Sequence, residues 1–306
     1  MILRATVGRE TAGMRLDDGA RLLFPQFSKT RLRKIIDWGG CVVSGSMVRV
    51  ASRLLKEGEE LIIGVMEPER CVEREFRPDE ILYEDSEYLA VNKEAGLNSQ
   101  RTPYQLKGTL EYMVGQVFRN RGSSEPVRVV HRLDRGTSGV MIFPKAQRPA
   151  AHISSLLKEG AVGKIYWALV LGIPSEDVWE INAPIAKIGS ARYGVATPGR
   201  DARSGFRLLA TGAGVALVEA TPHTGRTHQL RVHLASRDLP VIGDPTYGGG
   251  PASRMMLHCR SMTFTAGAGR EVFVVAPVDD AFIATCRRYG LECPSAGEKV
   301  PSLMKS

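Results

Sequence analysis

Along the first seventy residues the apolar positions fall into two short helical patterns followed by an alternating one. Leu16, Ala20, Leu22 and Leu23 mark one amphipathic stretch, and Leu32, Ile35 and Ile36 mark a second. Ser28 is placed to cap that second helix and Gly39-Gly40 to stop it. Cys41-Val42-Val43 and Met47-Val48-Arg49-Val50 flank Ser44-Gly45-Ser46, which predicts strand, tight turn, strand. A charged stretch from Glu67 to Glu80, broken by Pro68 and Pro78, then interrupts the apolar pattern. Past it, Tyr88–Val91, Val127–Val130, Val140–Phe143 and Tyr166–Val170 predict strands, with helical spacing at 109–118 and 147–158 between them. Strict strand-helix alternation, a Gly-rich phosphate loop and an internal repeat are all missing, which argues against a doubly wound nucleotide-binding fold and for a mixed α+β one. The expected division is a small unit at 1–70, a linker at 71–80, a larger domain at 81–293 and a flexible tail rich in Ser, Gly, Lys and Pro at 294–306.

Charge adds a direction to this outline. Lys plus Arg outnumber Asp plus Glu by 41 to 33, for a net charge of +8, which suits a polyanionic partner but by itself gives no more than even odds for nucleic acid. Lys29, Arg31, Arg33 and Lys34 crowd two turns of the second helix, with Arg15 upstream. They read either as a platform for phosphates or as an ordinary solvated basic face. The five cysteines are odd in number and scattered, which argues against a disulfide framework or a zinc site and fits a reducing cytoplasm. The start of the chain lacks the apolar stretch of a signal peptide, and no run approaches the ~20 apolar residues of a membrane span. A soluble cytoplasmic protein without a membrane partner is expected.

One polar loop stands out against the apolar runs around it, His131-Arg132-Leu133-Asp134-Arg135-Gly136-Thr137-Ser138-Gly139. Its glycines and its Thr-Ser pair permit close backbone approach around Asp134. Taken alone, an aspartate in such a loop more often stabilises a turn than performs chemistry. His223, His228 and His233 invite a metal reading, but the step from His228 to His233 puts the rings on opposite faces of a strand and ~140° apart on a helix. No metal is expected.

Taken whole, the string from His131 to Gly139 resembles the signature loop of the RluA-type pseudouridine synthases, and matches to other motifs of that family follow in order. Lys164-Ile165-Tyr166 is similar to its Lys-x-Tyr strand motif, continued by Ala168, Val170 and Gly172. The run from Thr224 to His233 (Thr-Gly-Arg-Thr-His-Gln-Leu-Arg-Val-His) resembles its longest motif, extended by Pro240, Gly243-Asp244 and Tyr247-Gly248, and Leu257-His258 its last. Nearer the start, Arg15-Leu16-Asp17, Ser28-Lys29-Thr30-Arg31, Gly39-Gly40, Val42–Gly45 and Gly58–Leu61 resemble the small RNA-binding domain named after ribosomal protein S-four, from which Ser46 and Glu59 depart. Together the resemblances cover residues 13–280. In the larger domain Glu94, Asn98-Ser99-Gln100 and Ser204 depart from the family pattern.

The resemblance implies a mixed, largely antiparallel sheet flanked by helices, preceded by a small α/β RNA-binding domain. It implies an enzyme without cofactor that isomerises uridine in structured RNA, with large-subunit ribosomal RNA as the expected substrate and a monomer as the expected state. Asp134 becomes the catalytic carboxylate, acting as nucleophile or base. Whether it bonds to ribose, adds to uracil or takes a sugar proton stays open. Arg231 is its expected ion-pair partner, Tyr166 a base-stacking wall and Leu257 the apolar wall opposite. His228 is expected to position Arg231, and Arg132 to fill the vacancy left by a flipped base or to contact the backbone. Arg15, Lys29, Arg31, Arg33 and Lys34 become RNA contacts. The rival readings are a catalytically silent RNA-binding or assembly factor of the same fold, a transfer-RNA synthase, and an N-glycosidase that cleaves the same bond without rejoining it.

Overall fold

A computed structural model describes residues 1–64, 74–190 and 192–293; residues 71–73 of the expected linker and all of the expected tail, 294–306, lie outside them. The chain divides into two compact units, Met1–Phe76 with Leu97–Val127, and Arg77–Gly96 with Arg128–Ser306.

The first unit is built from β1 (Ile2–Thr6), α1 (Leu16–Leu23), α2 (Lys29–Asp37), β2 (Cys41–Val43), β3 (Ser46–Met47), β4 (Glu60–Gly64) and α3 (Leu110–Asn120). Its strands form an antiparallel sheet in the order β1-β4-β2-β3. The pairs Cys41–Ile63 and Val43–Leu61 turn their side chains to a core shared with Leu16, Ala20, Leu32 and Ile36. Ser28 caps α2 by accepting from the backbone N–H of Arg31 at 3.2 Å. Leu22, expected among the apolar positions of α1, is 59% exposed, because it lies off the face defined by Leu16 and Ala20. Segment Leu97–Val127, which the sequence outline put with the larger domain, belongs to this unit through the Leu106 N–H on the Trp38 carbonyl at 2.7 Å and Lys107 on Asp37 at 2.6 Å.

Inside this unit Arg15, Lys29 and Arg33, three of the five cations expected to touch RNA, are already engaged with carboxylates. Asp17 is fully buried and accepts from Arg15 Nε at 3.0 Å and Arg33 Nε at 2.6 Å, while Lys29 bridges to Asp18 at 2.5 Å. Arg31 and Lys34 lie over the rings of Phe27 and Trp38.

The second unit holds β5 (Ile81–Glu84), β6 (Tyr88–Lys93), β7 (Ser138–Pro144), α4 (Gln147–Glu159), β8 (Gly163–Leu171), β9 (Val178–Asn182), β10 (Ile185–Lys187), β11 (Tyr193–Val195), β12 (Arg203–Thr211), β13 (Val215–Pro222), α5 (Gln229–Ala235), β14 (Leu257–Thr265), β15 (Glu271–Val275) and α6 (Asp280–Arg288). Nine strands make one sheet ordered β5-β6-β7-β14-β8-β13-β12-β9, with β15 added beside β14. The fold is α+β with a mostly antiparallel sheet, and alternation along its strands decides which face each residue serves. Along β8, Tyr166, Ala168 and Val170 pack with Val218, Phe206, Leu230 and Leu257, whereas Trp167 and Leu169 pack with Phe282 and Cys286 of α6.

Among the described residues, one pairing in this sheet is parallel. Strand β7 meets β14 through Ser138–His258 and Gly139–Cys259, and the Ser138 hydroxyl donates to His258 Nδ1 at 2.8 Å. Gly139 has φ +112°, and a Cβ there would lie 2.1 Å from the Cys259 carbonyl oxygen, so no other residue fits this close approach. Residues 127–130, expected as a strand, join no ladder. The edge of β7 beyond Gly139 is met by a side chain instead, the Ile142 N–H donating to His131 Nε2 at 2.9 Å.

Asp17→Asn removes the charge that Arg15 and Arg33 share, and the expected cost is about 3 kcal/mol, read as a lower urea midpoint at pH 7. Burial works against the charged form of Asp17, but the bonds from Arg15 and Arg33 outweigh it and bring its pKa down from 3.8 to about 2. Its contribution is therefore present above pH 3.8 and is lost as pH falls through about 2, so wild type and variant should converge in acid.

Candidate active site

Two structures fix opposite sides of the site, the turn leading into β7 and the first turn of α5. In the first, the Thr137 N–H donates to the Asp134 carbonyl at 3.0 Å, which closes a turn around the aspartate. Residues 93–96 hold that turn in place. The Gly96 N–H donates to the Arg135 carbonyl at 2.8 Å, Arg135 Nε returns a bond to the Gly96 carbonyl at 2.9 Å, and Lys93 Nζ donates to the carbonyls of Glu94 at 2.9 Å and Arg135 at 3.2 Å. Lys93 is fully buried, and burial pushes its amine down to about 7 against the opposing pull of the Asp134 charge.

In the second structure, Gln229 pins the approach to α5. Its side-chain oxygen accepts from Thr224 Oγ1 at 2.8 Å and the Arg226 N–H at 3.0 Å, and its amide donates to the Arg203 carbonyl and Ser204 Oγ, both at 2.9 Å. His228, just before the helix, adopts a left-handed conformation with φ +59°. The first turn of α5 thereby delivers Arg231, 6% exposed, to the rim of the cavity.

Arg231 is the junction. Its NH1 donates to Asp134 Oδ2 at 3.0 Å, while Nε and NH2 grip Asp244 at 2.6 and 2.9 Å in a two-pronged bond. Asp244 is in turn fixed by the N–H groups of Thr246 and Tyr247 at 2.9 and 3.3 Å. Gly243 makes this corner possible, since at φ +77° a Cβ would lie 2.0 Å from the Arg254 carbonyl oxygen. Asp134 keeps 18% of its side chain exposed, so the carboxylate is held and still faces a ligand.

A cavity of about 740 Å³ opens over this pair and is lined by Asp134, Arg231, Tyr166, Leu257, His228 and Arg132. All six residues singled out in the larger domain therefore share one site. Tyr166 has its phenol pushed well above 10 by burial, with Cys259 and Asp134 adding to the effect, so it enters any chemistry as the neutral hydroxyl. Leu257 is 4% exposed and packs in the core that backs Tyr166. Arg132 is exposed at the mouth.

His228 does not bond to Arg231. Its Nδ1 lies 2.9 Å from the Tyr247 hydroxyl, and its Nε2 faces Asp134 Oδ2 at 3.8 Å. The Tyr247 oxygen also accepts the Tyr193 N–H at 3.1 Å, which fixes the hydroxyl that holds the His228 ring. The Arg231 guanidinium stacks 5.0 Å over the Tyr247 ring, so His228 and Arg231 are linked through Tyr247. His233 is spent on Ser204 Oγ at 3.0 Å and the Ala183 carbonyl at 3.1 Å.

Sequence reasoning gave no role to Asp244, Tyr247 or Lys93. The first two stood inside quoted motif strings, Gly243-Asp244 and Tyr247-Gly248, and the signal available was a second carboxylate in the same family pattern as Arg231. Chemically, the assembly presents an ionisable carboxylate with a fixed counter-charge beside an aromatic ring and an aliphatic wall. It suits attack on, or proton removal from, a carbon next to a flat heterocycle.

Comparison with known proteins agrees with this chemistry. Residues 87–236 match the family model for RNA pseudouridylate synthase. The chain is 36% identical over 243 residues to a protein of Aquifex aeolicus named as an uncharacterized RNA pseudouridine synthase, covering 76% of this chain and 77% of that one. It is 33% identical over 256 residues to ribosomal large subunit pseudouridine synthase D of Pseudomonas aeruginosa, covering 81% and 78%. Among solved structures, human RNA pseudouridylate synthase domain containing 4 shares the fold with a TM-score of 0.61 at 24% identity, over 71% of this chain and 95% of that one.

Asp244→Asn should leave Arg231 present but misaimed, lowering turnover roughly 100-fold with RNA affinity little changed in a filter-binding assay. Lys93 yields a pH prediction. Between about 7 and 10.5 the unfolded chain holds the Lys93 proton and the folded protein has released it, so this residue makes stability rise with pH across that window. Lys93→Met should flatten the rise in urea midpoints measured from pH 6.5 to 9.5; an unchanged slope would assign it to other groups.

Proposed function

The chain belongs to the RNA pseudouridylate synthase family, isomerases that convert uridine to pseudouridine in RNA, and on that premise we propose that Asp134 is its catalytic carboxylate and large-subunit ribosomal RNA its substrate. The observation that carries the assignment to Asp134 is its position, partly exposed to a cavity and bonded to an arginine that a second, buried aspartate holds in place. The reaction breaks the bond between ribose carbon 1 and uracil nitrogen 1, turns the base and rejoins it through carbon 5. An ionised carboxylate beside the sugar serves as nucleophile or base, and the enclosing walls keep water from ending the reaction as hydrolysis.

Tyr166 is the surface on which uracil stacks, with Leu257 opposite, and its neutral hydroxyl is available to the carbon 5 proton late in the reaction. Reaching this depth requires the base to leave its helix, and Arg132 at the mouth is placed to meet the RNA that it leaves behind. His228, its Nε2 3.8 Å from Asp134 Oδ2, borders the carboxylate and limits where it turns.

Ribosomal RNA is preferred over transfer RNA because relatives at this level of identity bear the name of the large ribosomal subunit, and because the first unit offers a basic helix of its own. We read that unit as an RNA-binding platform of the S-four type. Arg31 and Lys34 supply its outward charge, whereas Arg15, Lys29 and Arg33 are partly neutralised by Asp17 and Asp18 and act more by shape. The described residues contain no helix long and apolar enough to cross a membrane. A ribosomal RNA substrate is the ground on which we place the protein in the cytoplasm, and a cavity lined from one chain is the ground on which we read it as a monomer.

The deciding experiment incubates ribosomal and transfer RNA with wild type and Asp134→Ala, then maps pseudouridine by carbodiimide labelling and primer extension. New stops on large-subunit ribosomal RNA with wild type alone are expected. Stops on transfer RNA alone would reassign the substrate, free uracil would mark a glycosidase, and tight binding without stops would favour a silent assembly factor.

A further inference from the structure

Lys164 has no part in the chemistry described so far. It sits near the start of β8, two residues before Tyr166 and so on the same face of the strand, and both line the cavity. The two cations held at depth beside the aspartate are already engaged. Arg231 is divided between two carboxylates, and Lys93 donates to backbone carbonyls. Among the described residues, by contrast, no hydrogen-bond acceptor or carboxylate engages the Lys164 amine. Its ionisable neighbours are neutral as well. Burial pushes His131 down to about 3 and the Cys259 thiol, which faces Tyr166 across the ladder, up to about 12.

Lys164 is half-buried and lines the cavity, so its ammonium has shed part of its water without a protein partner in exchange, and that burial lowers its pKa. Such a group is compensated when a ligand brings the anion. A phosphate is one source, but phosphates stay with the RNA backbone at the mouth, where Arg132 and Lys158 are exposed. The flipped base is what reaches the depth of Tyr166.

Resting on the assignment of Asp134 and Tyr166 above, we propose that Lys164 is a catalytic residue that bonds a uracil carbonyl oxygen and carries the counter-charge of the base once it is detached from ribose. When the bond from carbon 1 to nitrogen 1 breaks, its electron pair leaves with nitrogen 1 and spreads onto the carbonyl oxygens, giving a uracil anion. The ammonium beside it gains an attraction that neutral uridine did not offer. Carbon 1, which gave up the pair, is meanwhile bonded to the Asp134 carboxylate or has its neighbouring sugar proton taken by it. The turned ring then uses its electron density to form the bond from carbon 5 to carbon 1, and Asp134 leaves that carbon or returns the proton. Nitrogen 1 gains a proton, carbon 5 loses one, and the charge disappears. Lys164 holds its own proton throughout.

The test is Lys164→Met, which keeps the length and removes the charge, assayed in single turnover on uridine RNA and on the same RNA carrying 5-fluorouridine. The fluorine makes uracil a better leaving group, so the need for a counter-charge falls. The expected result is a rate loss of roughly 100-fold on uridine with RNA affinity within about threefold, a smaller loss on fluorouridine consumption, and a thermal midpoint no lower than wild type. The proposal is overturned by a rate within about twofold of wild type, by weakened binding at an unchanged rate as a phosphate anchor would give, by a loss that fluorine does not relieve, or by a lowered midpoint that marks the lysine as structural. Wild type inert on every uridine would instead sink the isomerase assignment itself, before Lys164 is reached.

Discussion

A buried guanidinium that needs two carboxylates organises the site. Arg231 is nearly out of solvent, and a lone Asp134, itself partly open to the cavity, would be a poor counter-charge because its position would be free to drift. Asp244 supplies the fixed half of the arrangement with a two-pronged bond, and backbone N–H groups supply the fixture for Asp244. The surrounding peculiarities follow from that demand. Gly243 turns the chain where any side chain would strike Arg254, His228 takes a left-handed conformation to start α5 at the right place, and Gln229 ties four groups together at the helix entrance. With Arg231 immobile, its remaining N–H sets where Asp134 points.

The sheet provides the rigid mount. One face of β8 and β13 supplies the apolar backing from which Tyr166 and Leu257 look into the cavity, and the other is closed by α6. Polar groups in the interior are used where geometry matters. His258 accepts from Ser138 and donates to the Ala276 carbonyl, and His131 takes a strand N–H that lacks a ladder partner. Both imidazoles are kept neutral by burial, so they lock backbone in place without placing charge near the reaction.

What the sequence disclosed depended on how far apart the determinants lay. The cap at Ser28, the helices and the tight turn after Val43 are local matters, written within a few residues, and the structure has them. Val127–Val130 has the composition of a strand, but a ladder also needs an open edge, and there the edge belongs to a histidine. Leu22 looked like a core position because composition does not say which side of a short helix meets the sheet. In the site, Asp134, Arg231, Tyr166 and Leu257 were legible through motif strings that span the fold. The roles of Asp244 and Lys93 were not, since one is defined by a partner thirteen residues away and the other by the carbonyl of Arg135, forty-two residues on. Residue type was visible in both cases and pairing was not.

The two-rung parallel contact between β7 and β14 has a wider meaning. It is a seam: the strands on one side carry the turn that bears the aspartate, and those on the other lead to the helix that bears the arginine. The separation of Asp134 and Arg231 is therefore read out from the tilt of two half-sheets about Gly139 and His258, much as a vernier reads a small rotation. Adaptation to a hot or cold habitat, or tuning by a designer, has a handle here that touches neither Asp134 nor Arg231: small volume changes along the seam reset the alignment of the carboxylate while leaving the polar side chains of the cavity as they were.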